Sequence, residues 1–208
     1  MASKYRVRYI FRPPVNLIAK GFFKIGVKNP DIITGLMLIC ALFSAFFIIF
    51  LQNLLLFAIF VFLTGIFDGV DGSLSRLANR ASQKGAFLDS TMDRFSEIII
   101  FLGIFIYSWN AFLWEVIDMK LVIYFALFAS LMISYSRARG ETIIKGDFDI
   151  GLMARSERLF YLFITSIIAF IWGYLNEFLF IYMILVVGTA LFRAIKIYRF
   201  IKESDVQL

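Results

Sequence analysis

The stretch Ile32-Ile-Thr-Gly-Leu-Met-Leu-Ile-Cys-Ala-Leu-Phe-Ser-Ala-Phe-Phe-Ile-Ile-Phe-Leu51 is twenty residues long and carries no charge. An α-helix rises about 1.5 Å per residue, so a run of this length matches the ~30 Å hydrocarbon core of a bilayer. Asn29-Pro30-Asp31 precedes it. That order suits a helix start: Asn as N-cap, Pro as the first helical residue, Asp complementing the dipole. Five more apolar runs follow, at Leu54–Phe67, Ile98–Phe112, Leu121–Ser134, Leu159–Tyr174 and Phe178–Phe192. Several are shorter than the ~20 residues of a span, which predicts that those helices continue into polar sequence at one end. Hydrophobic residues make up 61% of the 208-residue chain, far above a soluble domain. The fold class this implies is an all-α integral membrane protein, a six-transmembrane-helix bundle.

Charge placement orients the bundle. Of 21 Lys and Arg, all but Lys120 lie in 1–31, 68–97, 135–158 and 193–208, on one side of the six runs. The positive-inside rule places that side in the cytoplasm with both termini. The predicted localisation is a multi-pass protein of the cell membrane whose polar helix ends face the cytoplasm. Pro14–Lys28 reads as an amphipathic interfacial helix, with Lys20, Lys24 and Lys28 on one face and Leu17, Ile18, Gly21, Phe22 and Ile25 on the other. One membrane domain, 1–208, is predicted, with a cytoplasmic tail and interfacial helix over 1–30 and the bundle over 31–203. The +6 net charge is accounted for by topology and by membrane lipid headgroups, so nucleic acid is not a partner. The basic N-terminus has no short apolar stretch with a cleavage site, so no signal peptide is expected. The chain has no His and one Cys, Cys40. Imidazole chemistry and an internal disulfide are excluded, and any divalent metal must be bound by oxygen.

The chemistry is concentrated in Asp68-Gly-Val-Asp71-Gly72-Ser-Leu-Ser-Arg76, then eight residues, then Gly85-Ala-Phe-Leu-Asp89-Ser-Thr-Met-Asp93. The spacings i, i+3 and i, i+4 put each pair of aspartates on one helical face. A lone aspartate at a helix end is ordinarily solvated or caps the helix. Four at these spacings repel one another strongly where the dielectric is low, and two bridging divalent ions relieve that repulsion. Gly72 and Gly85 allow close approach of a diphosphate. Arg76 can bind a phosphate oxygen.

This pattern resembles the CDP-alcohol phosphotransferase family, whose motif reads D-x2-D-G-x2-A-R-x8-G-x3-D-x3-D. Every spacing matches, and the one departure is Ser75 where the family has alanine. The resemblance implies transfer of a lipid-phosphate from a CDP-linked lipid, CDP-diacylglycerol or CDP-archaeol, to an alcohol with release of CMP. It implies two Mg or Mn ions held by Asp68, Asp71 and Asp89. It makes Asp93 the general base and a possible fourth ligand. It also implies a homodimer. Gly72, Arg76 and Gly85 are then the residues for the CDP-lipid.

A second cluster addresses the acceptor. Ser134-Tyr-Ser-Arg137-Ala-Arg139 and Arg155-Ser-Glu157-Arg158-Leu resemble the branch of that family containing phosphatidylinositol-phosphate and archaetidylinositol-phosphate synthases. A phosphorylated alcohol needs extra cations that serine or free inositol does not. The expectation is that Ser134, Arg137, Arg155, Arg158 and Arg193 bind the phosphate of inositol phosphate. Glycerol-3-phosphate is the rival acceptor, since arginines alone do not distinguish the two. An intramembrane prenyltransferase would need two separate aspartate-rich motifs. A divalent-cation transporter would place its carboxylates near mid-membrane, whereas these lie at one end of their helices.

Overall fold

Each apolar run falls on one helix, overrunning its end at Leu51, at 108–112 and at 173–174, and adjoining polar sequence extends several of these helices. The computed structural model describes residues 7–80, 82–144, 146 and 148–205. Two short helices, α1 (Val7–Ile10) and α2 (Arg12–Lys24), come first. Six long ones follow: α3 (Pro30–Phe50), α4 (Leu54–Leu77), α5 (Gln83–Tyr107), α6 (Met119–Ile143), α7 (Arg155–Trp172) and α8 (Leu175–Asp205). The starts are capped by side chains. Asn29 accepts from the Asp31 amide at 3.2 Å, and Asn53 from Leu56 at 2.9 Å. Ser82 accepts from Gly85 at 3.0 Å. Each such bond satisfies one of the backbone donors that a helix start leaves unpaired.

The chain is an integral membrane protein. Helices α3, α4, α6 and α8 are long and apolar enough to cross a bilayer. Helices α5 and α7 are interrupted by charge at one end, Asp89, Asp93, Arg94 and Glu97 in one and Arg155, Glu157 and Arg158 in the other. Helix α3 packs against both α4 and α5, α4 against α7 and α2, and α6 against α8 and α5. The main core joins Ile48, Phe57, Phe101, Ile133, Leu162 and Tyr182, one from each long helix.

The all-α class holds, with one small non-helical element. Phe112–Leu113 pairs antiparallel with Ile117–Asp118 as a two-stranded hairpin between α5 and α6. Trp114 and Glu115 take positive φ in its turn. The N-terminal amphipathic helix covers Arg12–Lys24, not Pro14–Lys28. It stops where Gly26 adopts φ 96° and the Val27 amide reaches back to the Phe22 carbonyl at 3.0 Å, a glycine-terminated C-cap. Its packing face also differs. Val15 and Ala19 are buried against Val70 and Leu74 of α4, whereas Leu17 and Ile25 are exposed. Spacing alone identified an apolar face and missed the strip within it that meets α4.

Gly103 shows how closely α3 and α5 approach. A Cβ there would lie 3.0 Å from the Ala45 Cα and 3.0 Å from the Ile48 Cγ2. Small residues at such crossings let membrane helices approach backbone to backbone. Gly103→Leu is expected to lower the thermal unfolding midpoint in detergent, with an overpacking cost of about 1–3 kcal/mol. An unchanged midpoint would show that the crossing yields without strain.

Candidate active site

Five residues, 78–82, connect α4 to α5. The turn is held by the Arg80 amide on the Ser75 carbonyl at 3.1 Å and by Asn79 at φ 52°. This reversal sets the polar end of α4 beside the polar start of α5. Asp68, Asp89 and Asp93 converge there, with one carboxylate oxygen from each within 4.8 Å of the others. Two like charges at that distance repel by roughly 3–4 kcal/mol at an effective dielectric of 20. They face a cleft of about 600 Å³, within the usual range for a small-molecule site.

The donor set fits a hard divalent cation. All three groups are carboxylates, the ligands that Mg and Mn favour. The Oδ1 atom of Asp89 is buried without a hydrogen-bond partner among the described residues. A buried carboxylate oxygen in that condition is costly unless a cation compensates it. Asp71 differs from the other three. It is buried at 6% exposure, and its Oδ2 accepts from the Thr34 hydroxyl of α3. It stays within electrostatic reach of Asp89.

Arg155, the first residue of α7, reaches into the cluster. Its Nη1 lies 2.5 Å from Asp68 Oδ1 and 2.6 Å from Asp93 Oδ1. Its Nη2 donates to the Ser96 hydroxyl at 2.8 Å. Gly72 and Arg76 line the same cleft. Arg76 donates to Ser73 at 3.3 Å, and Ser73 donates to Asn16 of α2 at 2.8 Å. Gly85 is not among the lining residues. It sits in the first turn of α5 with its amide on Ser82.

The arginines do not all converge. Arg137 lines the cleft with Arg155, and its Nε donates to Glu141 at 2.8 Å. Arg193 is 2% exposed and lies one layer behind, donating to the carbonyls of Ile150 at 2.7 Å and Ile133 at 3.0 Å. Asp149 connects the two, 3.6 Å from Arg137 and 3.5 Å from Arg193. Arg158 is fully buried and engages Glu97 through both oxygens, with Ser134 at 3.4 Å. Of the five residues expected to bind the acceptor's phosphate, Arg137 and Arg155 line the cleft and Arg193 lies behind them. Arg158 and Ser134 are occupied within the bundle. The sequence offered no signal for Asp149 or Glu97, which are single acids outside any motif. Nor did it signal that Arg8, Tyr9, Phe11 and Arg12 would reach from the N-terminus to line the cleft.

Comparison with known proteins gives a consistent family. Residues 27–192 match the family model described as CDP-alcohol phosphatidyltransferase. An archaetidylinositol phosphate synthase of Pyrococcus horikoshii is 32% identical over 167 residues, 80% of this chain and 82% of that protein. A phosphatidylinositol phosphate synthase of Cutibacterium acnes is 33% identical over 153 residues, 70% of this chain and 68% of that one. Among solved structures, Mycobacterium tuberculosis phosphatidylinositol phosphate synthase with CDP-DAG bound matches at TM-score 0.75. It is 26% identical, covering 88% of this chain and 93% of that one. The same enzyme with manganese and citrate matches at TM-score 0.76 and 24% identity, a likeness of fold.

Proposed function

The chain belongs to the CDP-alcohol phosphatidyltransferase family, and from that premise we propose that it transfers the lipid-phosphate of a CDP-linked lipid to inositol phosphate, releasing CMP. The observation that carries the acceptor is that Arg137 and Arg155 line the same cleft as Asp68, Asp89 and Asp93. A phosphorylated alcohol can thus be gripped by guanidinium groups while its hydroxyl points toward the carboxylates. The names of the relatives from Pyrococcus and Cutibacterium favour the same acceptor.

In this reading Asp68, Asp71 and Asp89 would hold two Mg or Mn ions, and Asp93 stands beside them as the base. When bound, the ions neutralise the diphosphate and the charge that develops on the departing CMP. Gly72 and Arg76 receive the diphosphate. Arg137 and Arg155 fix the acceptor's phosphate, backed by Asp149 and Arg193. The acceptor hydroxyl attacks the phosphorus that bears the lipid. A new P–O bond forms to the acceptor, the P–O bond to CMP breaks, and the hydroxyl proton passes to Asp93. CMP leaves with the bridging oxygen.

The same reading has α5 and α7 crossing the membrane with the other four long helices, both termini in the cytoplasm, and the cleft open to the cytoplasm. The one-sided placement of Lys and Arg supports this orientation. Assembly as a homodimer belongs to the same proposal.

The test is CMP release by the purified protein in detergent with Mg and CDP-diacylglycerol or CDP-archaeol. Inositol phosphate, glycerol-3-phosphate and free inositol are compared. Each charge-assisted hydrogen bond to the phosphate is worth about 1.5–3 kcal/mol. Free inositol is therefore expected to be poorer in kcat/KM by about tenfold or more. Preference for glycerol-3-phosphate or free inositol would overturn the acceptor assignment and leave the family chemistry standing.

A further inference from the structure

The Glu97–Arg158 pair lies inside the bundle, away from the cleft lining. Glu97 is 3% exposed and Arg158 fully buried. Arg158 Nε donates to Glu97 Oε1 at 2.7 Å, and Nη2 donates to Oε2 at 2.9 Å. Its Nη1 donates to the Met153 carbonyl at 3.0 Å, and Nη2 also reaches Ser134 of α6 at 3.4 Å. One guanidinium thus ties α5, α6, α7 and the segment leading into α7. Two parallel N–H···O bonds fix direction as well as distance. Such a contact resists both sliding and rotation of one helix on another.

The pair is also one helical step from the chemistry. On α5, Asp93, Ser96 and Glu97 are spaced i, i+3, i+4 and share a face. On α7, Arg155 and Arg158 are spaced i, i+3. Side chains bridge the two helices as a ladder, while the body of α7 packs on α4. In one rung Arg155 holds Asp93 and Ser96, and in the next Arg158 holds Glu97. Helix α7 starts at Arg155 itself, and Arg158 is the next residue along that face anchored on α5.

We propose that Glu97 is a positioning residue for the transfer, setting through Arg158 the height and rotation of α7 on α5 and hence where Arg155 stands over Asp68 and Asp93. This rests on the reading that Arg155 serves the acceptor's phosphate. An arginine displaced along the helix axis would still carry its charge but would meet the acceptor in the wrong place. Small misplacements of that kind are expensive in an oriented reaction.

The experiment compares Glu97→Gln with the double variant Glu97→Leu/Arg158→Met. Replacing a buried ion pair by apolar side chains of similar volume is often neutral or stabilising. The double variant should therefore fold while losing the directional contact. The acceptor is whichever phosphorylated alcohol releases CMP with the wild-type enzyme, so a mistaken acceptor is exposed by the wild-type control alone. In both variants KM for the acceptor is expected to rise about 10- to 100-fold. KM for the CDP-lipid should stay within about twofold, because its contacts are elsewhere. Unchanged acceptor KM in the folded double variant would make the pair mere packing and overturn the proposal. A parallel rise in both KM values, or loss of fold in both variants, overturns it as well, by assigning the pair to stability alone.

Discussion

Asp89→Asn is expected to reduce CMP release by about 10³-fold or more, the scale on which a single charge at a phosphoryl-transfer centre counts. The Asp89 Oδ1 atom is buried without a hydrogen-bond partner among the described residues, and its carboxylate lies within 4.8 Å of those of Asp68 and Asp93. An amide in its place keeps the shape and removes the charge. It relieves the repulsion among the carboxylates, so the variant should fold at least as well as the wild type. It also removes a ligand, so affinity for Mn should fall, and this is measurable by the paramagnetic signal of free Mn without any turnover. The two readouts must move together. A stable variant with lost activity and intact Mn affinity would take Asp89 out of the metal site. Chelator treatment of the wild type should abolish activity, and Mg or Mn should restore it. Full activity in excess chelator would sink the two-metal reading.

The parts of this molecule legible in the sequence are those whose signal is local. Apolar runs reported the long helices because a span needs length and little else. The aspartates of α4 and α5 were legible because helical spacing converts four positions into two faces, and a short turn must bring those faces together. The same reasoning did not resolve Asp71 from its neighbours. The i, i+3 spacing puts it on the face of Asp68, and nothing local shows that Thr34 of α3, distant in sequence, takes one of its oxygens. The arginines show the limit more sharply. Arg137, Arg155, Arg158 and Arg193 all sit at the polar ends of helices, and charge alone does not say what each one meets. The structure separates them by their partners: Arg155 on Asp68 and Asp93, Arg158 on Glu97, Arg193 on two backbone carbonyls. Those partners lie on other helices or in the segment before α7. A lone acid such as Asp149 carries no periodicity to mark it. The amphipathic pattern of α2 was read for a bilayer surface, yet the strip that matters packs on α4, which brings Arg12 to the cleft.

Asp93→Asn should lose about 10²–10⁴-fold in rate, the usual contribution of a positioned general base. Asp93 lines the cleft one helical turn beyond Asp89, on the side of α5 that meets Arg155. Its role differs from that of Asp68 and Asp89 in what should survive its removal. A base acts on the acceptor's hydroxyl, so the amide variant should bind CDP-lipid and Mn nearly as the wild type does while failing to accept the proton. A metal ligand acts on the diphosphate, so its loss should weaken both. The separation is therefore kinetic: kcat falls in Asp93→Asn with KM for CDP-lipid little changed. A nucleophile that no longer needs deprotonation offers a sharper check. Hydroxylamine in place of the alcohol attacks as a neutral amine. If Asp93 is the base, the variant should keep a larger share of its rate with this nucleophile than with the alcohol. Retention of more than about a tenth of the wild-type rate with the alcohol, well above what loss of a general base allows, would reduce Asp93 to an accessory ligand. A variant that loses Mn affinity and rate together would place it with Asp89 as a ligand whose charge is needed for binding.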